Sequence, residues 1–188
     1  CLTLIPYSVP GPAPLVVASL EQENVSCFGL ADGQIAVSVM GGTGPYQYQW
    51  AHGPDSSSVT NLLAGSYEVW VTDAQNCTLL VPDLLIEQPS ALGINTFEIE
   101  AISCFGFADG QISVEAGGGT PPYRYAWENG TVTPILAGLE AGSYTLELTD
   151  DNDCLFTTSY VVPQPPPLTN VLERLDPACS GEDGTFTF

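Results

Sequence analysis

Hydrophobic and polar positions alternate with a period of two in several short runs along this chain. Ile35, Val37 and Val39 fall on one side of a first run, with Gln34, Ala36 and Ser38 opposite. Tyr46, Tyr48 and Trp50 repeat the pattern, and Tyr67, Val69 and Val71 repeat it again. Side chains of an extended chain point alternately to two faces, so each run predicts a strand with one buried face. The same alternation returns at Ile112 and Val114, at Tyr123, Tyr125 and Trp127, and at Tyr144, Leu146 and Leu148. Clusters such as Gly41-Gly42-Thr43-Gly44-Pro45 and Gly53-Pro54 separate the runs, and no helical periodicity is present. The expectation is all-β: about seven short strands per unit of ~80 residues, which suits tandem immunoglobulin-like β-sandwich repeats.

The units are an internal repeat. Residues 27–77 align with residues 104–154 at a constant offset of 77, without a gap and with 25 identities in 51 positions. Cys1 onward matches the segments after Cys77 and Cys154, and Cys179 with Glu182-Asp183-Gly184 restarts the segment that begins at Cys27. The organisation expected is the tail of one repeat at 1–14, whole repeats at 15–89 and 90–167, and the head of another at 168–188. The chain then reads as a window on a longer secreted protein. Leu62-x-x-Gly65-x-Tyr67 and Leu139-x-x-Gly142-x-Tyr144 look like tyrosine corners, in which the hydroxyl ties a turn between strands back to the backbone. Trp50 and Trp127 face inward on their strands.

Composition narrows the chemistry. The 188 residues include 22 acidic and 2 basic ones, a net charge of −20, which excludes nucleic acid and anionic membrane surfaces as electrostatic partners. The chain has no lysine and one histidine, His52, so Schiff-base, P-loop and His-centred triad or metal chemistry have no residues to use. The Gly-Gly-Thr loops are not phosphate cradles, because neither a lysine nor a helix follows them. No nucleophile is placed with a base, so an enzyme is not expected. Six cysteines beside many glycines and prolines, with no apolar run long enough to span a bilayer, point to a secreted chain without direct membrane insertion in this segment.

The order Cys-x-Gly-x-x-Asp-Gly, Gly-Gly-Thr-x-Pro-Tyr-x-Tyr-x-Trp, Ala-Gly-Ser-Tyr, Thr-Asp-x-x-x-Cys, closing at Gln88-Pro89 and Gln164-Pro165, resembles the SprB repeat. The resemblance implies tandem modules of very large surface adhesins of Bacteroidota, exported by the type IX secretion system and associated with gliding and attachment. On that reading the segment is a stalk of a cell-surface adhesin attached to the outer membrane, holding an adhesive element away from the cell, and its partners are neighbouring repeats of the same chain. Two other readings stay open: a self-assembling filament subunit that pairs with lateral copies of itself, and a module binding surface glycans. One departure from the family pattern is expected to change a turn: the usual glycine before the second cysteine is replaced by Asn76 and Asp153.

Three disulfide schemes remain open among these cysteines. Cys27 with Cys77 and Cys104 with Cys154 would pair within repeats, as families with two cysteines per module do. Sandwich topology objects that those partners lie at opposite ends, and would allow Cys27 to bond Cys154 across the junction instead. Pairs Cys1–Cys27, Cys77–Cys104 and Cys154–Cys179 would leave none unpaired. The acidic turns offer oxygen ligands of the type Ca2+ prefers, with Asp32, Asp73, Asp109, Asp150, Asp151 and Asp153 as candidates and a junctional site between Asp32 and the 150–153 turn; Asp and Asn also favour turns for backbone reasons alone. Trp70 should point outward beside Glu68, where it could stack on a sugar or anchor a partner. Pro89 and residues 163–167 are expected to stiffen the links between repeats.

Overall fold

A computed structural model describes residues 11–51 and 53–169. Cys1, His52, Cys179 and the segment Glu182-Asp183-Gly184 lie outside the described residues, as does most of each of the stretches 1–14 and 168–188, where the tail and the head of further repeats are expected. The described part is all β, with strands β1 (Val16–Glu23), β2 (Gly33–Met40), β3 (Gln47–Trp50), β4 (Ser58–Leu62), β5 (Gly65–Thr72) and β6 (Thr78–Ile86), then β7 (Gly93–Glu100), β8 (Gly110–Gly117), β9 (Arg124–Trp127), β10 (Ile135–Leu139), β11 (Gly142–Thr149) and β12 (Leu155–Val162). Each half forms two three-stranded antiparallel sheets, ordered β1-β2-β4 and β3-β5-β6 in the first, β7-β8-β10 and β9-β11-β12 in the second. The chain crosses between sheets after β2, β3 and β4 and again at their counterparts, which gives a pair of immunoglobulin-like sandwiches. Each has six strands rather than the seven expected, because the short turns at 51–57 and 128–134 cross directly between sheets.

The alternating residues build the two cores. Ile35, Val37, Trp50, Val69 and Val71 are buried in the first, and Ile112, Val114, Trp127, Leu146 and Leu148 in the second. Residues that no alternation had marked complete them: Val59 and Leu62 on β4, Val81, Leu84 and Ile86 on β6, and in the second half Leu136, Leu139, Tyr160 and Val162. Both tryptophans are buried with a satisfied N–H, since Trp50 Nε1 donates to Ser56 O at 2.7 Å and Trp127 Nε1 to Thr133 O at 2.9 Å. The repeats differ by one residue after their second cysteine, and the difference is a bulge. The pairing of β5 with β6 shifts between Tyr67 and Val69, where Asp83 adopts φ 55°, whereas β11 and β12 pair without a shift.

Tyr67 Oη donates to Leu63 O at 2.8 Å and Tyr144 Oη to Glu140 O at 3.0 Å, so each hydroxyl ties down the turn four residues before it. Loss of one such bond removes about 0.5–1.5 kcal/mol. Tyr67→Phe and Tyr144→Phe are each expected to lower stability by that amount in a denaturant titration with an unchanged m-value. A much larger loss would mean that the ring, not the hydroxyl, holds the corner.

Candidate functional site

The residues singled out by sequence converge on the place where the two sandwiches meet. Four loops contribute: the β1–β2 turn of the first sandwich, the link between β6 and β7, and the β8–β9 and β11–β12 turns of the second.

The β11–β12 turn is organised by one carboxylate. Asp150 is fully buried. Its Oδ1 accepts from the N–H groups of Asn152 and Cys154, both at 2.9 Å, and its Oδ2 accepts from Thr120 N at 2.7 Å. Asp73 does the same in the first repeat, with Gln75 N and Cys77 N on Oδ1 at 2.8 Å and Thr43 N on Oδ2 at 2.9 Å. The Gly-Gly-Thr loop therefore cradles an internal carboxylate. Its second glycine sits at φ 60° at Gly42 and φ 56° at Gly119, and a Cβ on Gly42 would come within 2.6 Å of Asp73 Oδ2. The Cys77 N–H above all, with the Thr43 and Gln75 amides, outweighs burial and holds the Asp73 carboxyl below the usual 3.8.

Asn76 and Asp153 do not change this turn. They adopt φ 64° and φ 61°, the left-handed conformation that a glycine would take and that Asn and Asp tolerate best among other residues. Asp153 also pairs with Arg124, whose guanidinium donates in addition to Asp150 O at 3.1 Å.

The β1–β2 turn is held by a second kind of carboxylate. Asp32 Oδ1 accepts from Ser26 N at 3.1 Å and its Oδ2 from the Ser26 hydroxyl; Asp109 repeats both contacts with Ser103, the amide at 2.9 Å. The serine hydroxyl first and the serine N–H second lower both carboxyls from 3.8. Ser26 and Ser103 each precede a cysteine, so each turn sets the position of a thiol.

These turns meet in a disulfide. Cys27 and Cys154, 127 residues apart, are bonded with Cα atoms 5.7 Å apart. Pairing within repeats does not occur, and neither does Cys77–Cys104: Cys77 and Cys104 are exposed and unbonded. The two cysteines of one repeat are at opposite ends of a sandwich whose strands run eight residues, roughly 27 Å at about 3.4 Å per residue. Beside the bond, Asn152 Nδ2 donates to Ser26 O at 2.9 Å, a second tie across the junction.

The link between β6 and β7 is fastened from both sides. Glu87 O accepts from Val25 N at 3.1 Å, Glu87 N donates to Asn24 Oδ1 at 2.9 Å, and Gln88 Oε1 accepts from Gly29 N at 2.9 Å, all in the first sandwich. Ser90 O accepts from Gly119 N of the second sandwich at 2.8 Å. Pro89 stands between the two sets of bonds. Sequence reasoning did not foresee the bonds that Asn24, Gln88, Ser90 and Asn152 make at the junction, because nothing in a polar side chain at a turn announces which neighbour it meets.

The carboxylates named as calcium ligands are engaged in these turns: Asp73 and Asp150 with backbone amides, Asp32 and Asp109 with serines, Asp153 with Arg124, while Asp151 is exposed. Among the described residues no three His, Cys, Asp or Glu side chains gather as a ligand set. Trp70 stands on the outer face of its sheet, opposite Gln49 on β3 and Leu80 on β6, and is 43% exposed.

Two outcomes follow from the turn carboxylates. Asp150→Asn replaces two acceptor oxygens by one, so some buried N–H must face an NH2 group, and a loss of about 1–3 kcal/mol in thermal or denaturant unfolding is expected. Asp32, Asp73 and Asp109 have folded pKa values below their unfolded ones, so the stability they supply is complete above the unfolded value of 3.8 and is lost as pH falls through the lowered folded values. With carboxylate repulsion screened by about 0.5 M salt, the unfolding midpoint should hold steady from neutral pH to about pH 5 and fall steeply below about pH 4. A midpoint that rises on acidification under those conditions would contradict the hydrogen-bond assignment.

No curated protein matches the chain. Among solved structures it is similar to the C-terminal 282-residue fragment of intimin, crystallised in complex with the intimin-binding domain of the translocated intimin receptor, at 16% identity and a TM-score of 0.41 over 79% of this chain. The chain spans 64% of the length of that fragment. The family model of the SprB repeat matches residues 19–54 and 96–132, which run from the first strand of each sandwich through its third strand. With the repeat period, the Cys-x-Gly-x-x-Asp-Gly turn and the Gly-Gly-Thr cradle present in both halves, the chain carries two regions that match the SprB repeat, one in each sandwich.

Proposed function

We propose that the paired repeats are a stiff spacer of a large secreted surface adhesin, holding an adhesive element away from the outer membrane and transmitting load along the chain. Repeats of this family are typical of cell-surface adhesins, and among the described residues no helix is long and apolar enough to cross a membrane. The observation that carries the spacer reading is the Cys27–Cys154 bond. A covalent tie between successive modules, beside a link hydrogen-bonded to both of them, suits a part whose task is to keep its shape under tension. Attachment and gliding would then belong to the elements at the ends of such an array.

Force makes the reading testable. When the chain is pulled by its ends, an intact bond withholds the 127 residues it encloses, about 430 Å of extended chain at ~3.4 Å per residue. Single-molecule unfolding of the oxidised chain should fall short of the reduced chain by that length. Small-angle scattering should give a narrow distribution of lengths for the oxidised chain and a broad one for Cys27→Ser with Cys154→Ser. Equally broad distributions in both would overturn the spacer reading.

A further inference from the structure

The bond that closes one junction leaves two matching half-bonds. By the repeat offset Cys104 is the counterpart of Cys27, and Cys77 the counterpart of Cys154. The bonded pair is half-buried, and both counterparts are exposed and unbonded.

The surroundings are reproduced as well as the thiols. Ser103 and Asp109 build the turn at Cys104 as Ser26 and Asp32 build it at Cys27. Asp73 holds the turn at Cys77 as Asp150 holds it at Cys154. Asn152, which donates its side-chain amide across the junction to Ser26 O, has Gln75 as its counterpart, another amide donor. Leu92, which lines the hollow beside the Cys27–Cys154 bond, has Leu168 as its counterpart, and Leu168 stands fully exposed. One end of the pair thus displays the β7–β8 turn, counterpart of β1–β2, the other displays the β5–β6 turn, counterpart of β11–β12, and the two are complementary because their counterparts are joined in the middle. An interface of this head-to-tail kind propagates without closing.

We propose that Cys104 bonds the second cysteine of a following repeat of the same kind, and Cys77 the first cysteine of a preceding one, so that the disulfide recurs at every junction. The inference rests on the spacer reading only in placing such repeats on either side. Each bond joins two thiols with loss of two protons and two electrons. The acceptor is a protein disulfide of the thiol–disulfide oxidoreductase class, reduced to its dithiol; glutathione disulfide, reduced to two glutathiones, replaces it in vitro.

The consequence is mechanical. The segment from Cys77 to Cys104 holds β6, the link and β7. With both its ends bonded, load enters at Cys77, runs through these two strands and the link, and leaves at Cys104. Strands β2 to β5 and β8 to β11, which lie between the two cysteines of their repeats, are then bypassed by the tension, while β1 and β12 lie on the neighbouring path through the Cys27–Cys154 bond. The Cys27–Cys154 bond offsets this path by one repeat, so two interleaved covalent paths would run along the array.

The experiment duplicates residues 93–168 in tandem within the full chain, oxidises it in a glutathione buffer, and counts free thiols by alkylation and mass spectrometry after denaturation. The duplication adds two cysteines. The expected count is unchanged from the parent chain, with a cross-linked peptide joining Cys104 of the original copy to Cys154 of the added one. Two additional free thiols, or bonding of Cys104 to any other cysteine, would overturn the proposal. A second chain that duplicates residues 16–92 makes its new junction with the native link and should again leave the count unchanged, with the original Cys27 bonded to the added Cys77; two added thiols in both chains overturn the proposal whatever the folding yield of either. A chain bonded as expected that still scatters as a flexible string would refute the spacer reading and leave the recurrent bond intact.

Discussion

A buried carboxylate surrounded by backbone amides is the constraint on which the junction depends. Asp150 and Asp73 each accept three N–H bonds, two from their own turn and one from the Gly-Gly-Thr loop of the neighbouring hairpin. A charge removed from water is costly unless every lone pair is matched, so the surrounding backbone has little freedom to move. The glycines at Gly42 and Gly119 let the loop approach closely enough, and the left-handed Asn76 and Asp153 bring the chain round to a cysteine. The thiol is thereby placed by the core of its own sandwich, and the disulfide becomes a connection between two rigid bodies.

The link extends the same logic. Six residues separate β6 from β7, and three of them bond back to one sandwich or forward to the other. Stiffness here does not come from proline alone. Pro89 limits one torsion, while Glu87, Gln88 and Ser90 fasten the backbone on either side of it. A single proline between fixed points leaves a link fewer ways to bend than the proline-rich stretch at 163–167 would have on its own.

Much of this was legible in the sequence, and the division follows from physics. Strands with one buried face declare themselves by alternation, so β2, β5, β8 and β11 and the tryptophans of β3 and β9 could be read. Strand β1 is exposed along its whole length as the edge of its sheet and has no alternation to show. The short β4 and β10 place only two buried residues each, too few to mark a period. The topological argument for Cys27 with Cys154 used strand length and turn position, both available from sequence, and the bond follows it. The burial of the turn carboxylates was not legible for a general reason: nothing in a Thr-Asp-x-x-x-Cys turn shows that its aspartate is enclosed, and only the approach of a loop 30 residues earlier does so.

The acidity of the chain explains why the tie should be covalent. With a net charge of −20, successive modules repel, and among the described residues Arg124 is the one cation, paired with Asp153 of its own repeat. A junction built from surface ion pairs would gain at most about 1 kcal/mol per pair and lose it to salt. Closing a loop of 127 residues, by contrast, removes unfolded-state entropy worth about 5 kcal/mol on the chain-entropy account, independent of ionic strength. Repulsion then assists instead of opposing. Beyond the screening length of about 8–10 Å it fades, but between adjacent modules it favours separation, while the disulfide and the fastened link set how far they can part.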